Sequence, residues 1–335
     1  MSAAALPPTF ESTGAWEPCS DRSLERGDPL AGTGGFGARW LLVEIDGAWG
    51  THAFFQSRLD PAIGRALVRR AESAGMRPVA IRRYGRRADE RRSQQRWRWA
   101  VADARPGRES VRWGVVDDPA DLLDIPLGGV DEADGVEGED AAAGVASERP
   151  VVLVCTHARH DQCCAVRGRP VARALAGAFP EETWESSHLG GDRFAATMIV
   201  LPHGLYYGRV PSADAATILG SYLKGELVEQ YYRGRSSLSN VVQAAESFAR
   251  GDAGDARIDA FTPVLEERTA DGGWRVELDH EGDAVTVVMR ETMSTPLLST
   301  CAATRPTPVR EFALESISRR PADPSRKPRG REEDG

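Results

Sequence analysis

Three cysteines and two histidines fall within ten residues, Cys155-Thr156-His157-Ala158-Arg159-His160-Asp161-Gln162-Cys163-Cys164. Thiolate sulfur and imidazole nitrogen together suit zinc or an iron–sulfur centre. One cysteine alone would read as a small apolar residue packed beside a strand. Three of them, interleaved with His157, His160 and Arg159, point to a site. A second set lies downstream, Ser186-Ser187-His188-Leu189-Gly190-Gly191-Asp192-Arg193-Phe194. Its glycine pair permits a tight turn, so that His188 and Asp192 can face one point. The same pair lets backbone N–H groups approach a bulky inorganic group. Taken alone, this segment reads better as a helix-entry turn, with Asp192 as N-cap and His188 at a strand end.

The elements that must position these residues follow a simple order. Val151-Val152-Leu153-Val154 is apolar on both faces and predicts a buried strand. The cysteines therefore follow its carboxyl end, where open α/β sheets collect ligands. A polar, cysteine-bearing loop comes next, then a helix from about Gly168 to Ala178 with Val171, Leu175 and Ala178 on one face. Exposed N–H groups at its start favour thiolate over thiol. Thr183–Ser187 reads as a short strand. Thr197–Leu201 and Leu205–Val210 read as a hairpin turned by Pro202-His203-Gly204, with one of Tyr206 and Tyr207 packed and the other exposed. Pro211-Ser212-Ala213-Asp214 opens a helix through Leu223.

A similar order precedes it. Trp40–Ile45 predicts a strand, and Asp60-Pro61 opens a helix that Gly75 closes. Strands are expected over Pro78–Tyr84, Arg96–Ala102 and Ser110–Val116, then a short helix from Asp117-Asp118-Pro119. We expect an α/β fold of two thioredoxin-like units, a duplication in which only the second copy carries cysteines after its first strand. The expected divisions are an irregular lead-in at 1–36, a unit without cysteine ligands at 37–126, and a linker at 127–149. The unit with the metal site spans 150–235, a C-terminal extension 236–320, and a disordered tail 321–335. The linker has seven acids and no basic residue from Leu127 to Glu148, too little apolar area to offset ordering. The extension reads as a helix over 237–250 and a hairpin of Arg275–Glu277 with Val285–Met289.

The spacing Cys155-x8-Cys164, then His188-x3-Asp192, resembles the sucrase/ferredoxin-like family of thioredoxin-like [2Fe–2S] proteins. The resemblance is strongest over Val151–Gly208, through the Cys-Cys-Ala-Val-Arg-Gly-Arg-Pro and His-Leu-Gly-Gly-Asp-Arg-Phe-Ala runs, and extends to Cys19-Ser20 and Gly27–Glu44. It implies a cluster held by two cysteines and by two histidines three residues apart. Cys155, Cys164 and His188 match those positions, and Asp192 stands where the second histidine would be. Either Asp192 ligates through oxygen, or Cys163, His157 or His160 substitutes, or the site holds another metal. Nothing in the sequence supports sugar hydrolysis.

The reading is of a one-electron carrier rather than a catalyst acting by itself, with a redox partner protein required. A mononuclear zinc site on Cys155, Cys164, His188 and Asp192 is the alternative within metal binding. A thiol–disulfide redox protein is a third reading, although no Cys-x-x-Cys occurs. Cys19 and Cys301 read as structural. Arg193 and Arg167 are candidates to balance cluster charge.

Composition narrows the classes further. A chain of 335 residues with 41% hydrophobic and 27% charged residues can bury a core. No apolar run approaches the roughly 18 residues of a bilayer span, and the N-terminus lacks a secretory pattern, so a cytoplasmic protein is expected. A net charge of −8 argues against nucleic-acid binding. Of 42 basic residues only Lys224 and Lys327 are lysine, so arginine clusters carry less weight as functional signals. Between Arg77 and Arg112 twelve arginines face four acids, with Trp97, Trp99 and Trp113 nearby. That stretch reads as a solvated sheet edge or, if functional, a docking face for an acidic partner. Gly32–Gly37 precedes a strand and not a helix, so phosphate-loop readings fail.

Overall fold

The computed structural model describes residues 17–86, 94–128 and 144–321. A short helix, α1 (Cys19–Glu25), stands where an irregular lead-in was expected. Strand β1 (Arg39–Glu44) buries Trp40 to Val43 completely. Helix α2 (Pro61–Ser73) starts as its residues dictate: the Asp60 carboxylate accepts from the Ala62 and Ile63 N–H groups, and Pro61 takes the first turn. The chain returns in β2 (Met76–Arg82), parallel to β1, then in β3 (Trp97–Asp103) and β4 (Ser110–Val116), each antiparallel to its neighbour. A 3-10 turn over Pro119–Leu123 follows.

A two-residue strand, β5 (Val145–Ala146), pairs with β4 inside the stretch expected to be linker. The acidic part of that stretch, 129–143, lies outside the described residues, as does the tail beyond 321. Strand β6 (Val151–Cys155) then leads into helix α3 (Gln162–Ala178) and β7 (Thr183–Ser186), parallel to β6. β8 (Met198–Leu201) and β9 (Leu205–Tyr207) form the hairpin, and α4 (Ala215–Tyr222) follows. Both Tyr206 and Tyr207 are buried, because both faces of β9 are covered, Tyr206 in a core shared with the first half and Tyr207 among Val171, Leu175 and Ile218; β10 (Tyr232–Arg235) pairs with the far edge of β9.

All ten strands make one sheet in the order β10-β9-β8-β6-β7-β2-β1-β3-β4-β5. Each half repeats one pattern: a parallel pair linked by a helix, then two antiparallel strands beside the first strand of the pair. Alternate residues of both halves, among them Trp40, Ile81, Leu153, Trp184 and Ile199, form one shared core. The opposite alternation packs Leu41 and Val43 in a core with α2, and Val152 and Val154 in another with α3 and α4.

The C-terminal region is more than a hairpin. Helix α5 (Asn240–Ala253), capped by Ser239, packs Val241, Ala244 and Ala245 onto a four-stranded meander. Its strands are β11 (Thr262–Arg268), β12 (Trp274–His280), β13 (Asp283–Met293) and β14 (Arg310–Arg320). The expected hairpin is the β12–β13 pair at its centre. The polar-rich sequences of the outer strands hide β11 and β14 from a reading based on apolar runs.

In the arginine-rich stretch, of which 87–93 lie outside the described residues, the described aromatic residues are packed. Trp97 and Trp99 are buried, Trp113 stacks on Trp184 at 5.2 Å, and Arg83 lies 3.6 Å over the Trp184 ring. The two halves join where β2 and β7 pair antiparallel through Ile81–Ser186 and Arg82–Glu185 only. There the buried Arg82 guanidinium meets the Glu185 carboxylate at 2.7 Å, donates to Gly47 O and lies 3.8 Å over Trp49. Removing one partner of a buried ion pair leaves an uncompensated charge. Glu185→Ala is therefore expected to lower unfolding free energy by about 3–5 kcal/mol, whereas a paired apolar replacement of Arg82 and Glu185 costs less. Urea denaturation of the single and double variants measures the difference.

Candidate metal centre

Cys155 ends β6, its amide bonded to Thr197 O at 3.0 Å. Helix α3 begins at Gln162, six residues before the sequence suggests, because the Asp161 side chain accepts the Cys163 N–H at 2.8 Å and caps the first turn. Cys163 and Cys164 consequently sit on a helix and not in a loop, and they face different ways. Gly168 lets this helix approach the strand end, since a Cβ there would meet Cys155 O at 2.1 Å.

His188 and Asp192 come from the turn after β7. Gly190 and Gly191 both adopt positive φ, and a Cβ on Gly191 would meet the Arg233 guanidinium at 2.1 Å. Asp192 opens a 3-10 turn over Asp192–Phe194 whose cap is Gly191, and its carboxylate turns inward. The turn is held by its carbonyls. Arg77 from β2 donates to Leu189 O at 2.7 Å, Tyr206 donates to the same oxygen at 2.9 Å, and Arg233 from β10 donates to Gly190 O at 3.1 Å. Arg233 is fully buried, lying over Phe194 and Tyr206, and burial pulls its pKa down to about 10.

The four residues singled out for the site meet. Cys164 Sγ lies 3.2 Å from Asp192 Oδ1, and His188 Nδ1 lies 3.1 Å from the same oxygen. Cys155 lies beside them, near enough to Cys164 and His188 for both to lower its pKa. Cys155 and Cys164 are about 1% exposed, while the His188 imidazole keeps 31% of its surface in solvent. His188 Nδ1 is itself buried and makes no well-directed hydrogen bond. Two sulfurs, a nitrogen and an oxygen with an unsatisfied buried donor atom fit a thiophilic metal or an iron–sulfur cluster.

The other candidates divide. His160 joins the site, its ring 3.6 Å from that of His188 and its Nε2 3.7 Å from Asp192 Oδ2. His157 turns away: its Nε2 meets Gly50 O at 2.6 Å, and its ring stands edge-on to Trp49. Cys163 points to the opposite side, where Cys19 and Cys301 lie. Arg193 pairs with Asp28 and Arg167 with Asp21, so neither faces the four donors. Arg77, Tyr206 and Arg233 were not legible as site residues. Arg77 belonged to a cluster discounted for composition, and the other two reach the turn only through strand pairing.

Charge is distributed unevenly over the four donors. The hydrogen bond from Cys164, opposed by burial and aided by His188, draws the Cys155 pKa down to about 5. Cys164 is pushed far up, by its bond to Cys155 and by burial, so the pair holds one proton. Burial lowers the His188 pKa, but Asp192 and Cys155 outweigh it and raise the group to about 9. Burial raises Asp192, but His188 and then Cys164 outweigh it and hold the carboxyl below its usual range.

The sequence model of the sucrase/ferredoxin-like family matches residues 39–234, more than half of the chain. No curated protein matches. Solved structures that match include the thioredoxin-like [2Fe–2S] ferredoxin of Aquifex aeolicus, 25% identical, covering 27% of this chain and 94% of that one with a TM-score of 0.24. Two cysteine-to-serine variants of that ferredoxin match at 24% and 26% identity, each covering 26% of this chain and 99% of that one, with TM-scores of 0.23.

The His188–Asp192 pair has a definite pH signature in the metal-free chain. A histidine raised above 6.5 adds stability that is complete below that pH and is lost as pH rises through about 9. The depressed Asp192 adds stability above its usual 3.8 that is lost as pH falls. NMR titration of the metal-free protein is expected to show a His188 midpoint near 9, shifted lower in Asp192→Asn. An unshifted midpoint would exclude Asp192 as the partner that holds the proton.

Proposed function

This chain belongs to the sucrase/ferredoxin-like family, and on that premise we propose that it is a one-electron carrier holding a [2Fe–2S] cluster on Cys155, Cys164, His188 and Asp192. The observation that carries this reading is the meeting of the two sulfurs with the turn, Cys164 Sγ and His188 Nδ1 lying 3.2 and 3.1 Å from one Asp192 oxygen. When bound, the cluster supplies a single reversible electron. The chain's own residues set its surroundings. Cys155 and Cys164 provide thiolates in a water-poor pocket, α3 favours their negative charge, and the clamped turn holds His188 and Asp192 in place. The half-exposed imidazoles of His188 and His160 form the edge through which a redox partner protein would exchange electrons. The matching strand orders of the two halves support our proposal that two thioredoxin-like units arose by duplication, the first having lost or never held a site. No helix among the described residues is long and apolar enough to cross a membrane. We assign the protein to the cytoplasm as part of the same proposal.

Mononuclear zinc on the same four residues is the second reading, favoured by the short sulfur–oxygen and nitrogen–oxygen separations around Asp192. Thiol–disulfide exchange fits less well. Cys155 and Cys164 are too buried for a disulfide substrate, and Cys163 and Cys164 face different groups.

Anaerobic purification with metal and sulfide analysis separates these readings. The carrier is expected to be brown, with about two irons and about two inorganic sulfides per chain; a colourless protein with zinc on these residues would overturn it. Asp192 adds negative charge where a neutral imidazole would not, which stabilises the oxidised cluster. Asp192→His is therefore expected to raise the reduction potential, measured by protein-film voltammetry, and a lower potential would contradict the charge argument. Acid should release the cluster as His188 and Asp192 take up protons, a loss visible as bleaching.

A further inference from the structure

On the opposite side of the α3 start, Cys163 meets two cysteines remote from it in sequence, Cys19 and Cys301. Its sulfur lies 3.6 Å from that of Cys19 and 3.1 Å from that of Cys301, and Cys301 lies 3.6 Å from Cys19. Asp161 completes the group, one carboxylate oxygen 3.8 Å from the Cys19 sulfur. We propose that Cys19, Cys163, Cys301 and Asp161 bind a zinc ion, separate from the centre on Cys155 and Cys164, that fastens α1 and the connection between β13 and β14 to the first turn of α3.

The spacing suits such an ion. With Zn–S bonds of about 2.3 Å and tetrahedral angles, sulfurs stand roughly 3.8 Å apart and a carboxylate oxygen about 3.5 Å from each. All five cysteines are free, and Cys19 and Cys163 are fully buried. Three thiolates and a carboxylate crowded in one place would be costly unless a cation shared their charge. The surroundings already turn polar atoms toward the Cys163 sulfur: Ser20 Oγ donates to it at 3.5 Å and the Cys19 thiol at 3.6 Å. Asp161 is oriented by the amides of Cys163 and Cys301, at 2.8 and 2.7 Å, as a ligating carboxylate would be.

The chain trace also calls for a fastening. Between β13 and β14 the connection 294–309 leaves its own sheet, folds on itself through the Leu297–Thr307 bridge and carries Cys301 to this point. Helix α1, which brings Cys19, is short and apolar only in part. Excursions of this length without regular structure are uncommon unless tied or functional. One ion on residues as far apart as 19 and 301 removes much of that freedom from the unfolded chain.

Metal analysis of the full-length holoprotein, grown with zinc and iron, tests this directly. The expected result is about one zinc per chain beside whatever iron is present. Cys301→Ser and Cys19→Ser should each lose that zinc while iron content and the visible spectrum per chain stay unchanged. Wild-type protein without zinc, or zinc retained in both variants, would overturn the proposal. So would iron lost in proportion from either variant, which would make these thiols cluster ligands. In the wild-type chain, cobalt exchanged for zinc should give thiolate-to-cobalt charge transfer and tetrahedral d–d bands, independent of any variant's folding. Octahedral cobalt spectra, or a disulfide among these cysteines found by mass spectrometry of the native protein, would also overturn it. An iron-free protein whose zinc is lost in Cys301→Ser and Cys19→Ser would sink the electron-carrier reading and leave this site standing.

Discussion

Arg82 and Glu185 meet at the seam where two five-stranded halves become one sheet, beside the two β2–β7 residue pairs and the Ser187 N–H bond to Ala80 O at 2.8 Å. A charge pair out of water is stabilising only when its geometry and remaining hydrogen bonds are complete. Here Gly47 O and the face of Trp49 supply what Glu185 does not. The seam matters beyond its own strands because Arg77, also on β2, reaches across it to Leu189 O. The turn that presents His188 and Asp192 is thus held partly by the half of the molecule that contributes no donor to the site.

That arrangement gives the cysteine-free half a physical role. Its strand β2 lies beside β7, and its Arg77 joins Tyr206 and Arg233 in binding the turn's carbonyls. Backbone oxygens held by fixed guanidinium groups leave the His188 and Asp192 side chains free to face the sulfurs. The site is then built from rigid parts: a strand end, a helix start and a clamped turn. Such support is what keeps donor atoms in place when charge on a bound centre changes.

Local signals carried much of the fold. Asp60-Pro61 starts α2, Pro202-His203-Gly204 turns β8 into β9, and the apolar runs at Trp40 and Val151 mark the two first strands. Cys155, Cys164, His188 and Asp192 stood out by type and spacing, and the fold brings them to one place. What escaped notice depends on contacts remote in sequence. Cys301 lies in an unremarkable stretch, and nothing near it says that the C-terminal meander returns it to Cys163. The apolar periodicity predicts the start of α3 near Gly168 and not at Gln162, because its cap, Asp161, sits among residues that also read as ligands. Arg77 and Arg233 were hidden by an arginine-rich composition in which any single guanidinium looks ordinary.

Cys163 and Cys164 are neighbours on a helix that advances about 100° per residue, and each faces a different group of donors. Their side chains cannot be adjusted separately: any rotation of the first turn that improves one approach spoils the other. Lengthening the segment between Cys155 and Asp161 is tolerable only if the added residues leave the helix phase untouched. The vicinal pair therefore acts as an indexing mark, making the angular setting of α3 a property that both sides of the helix must agree upon.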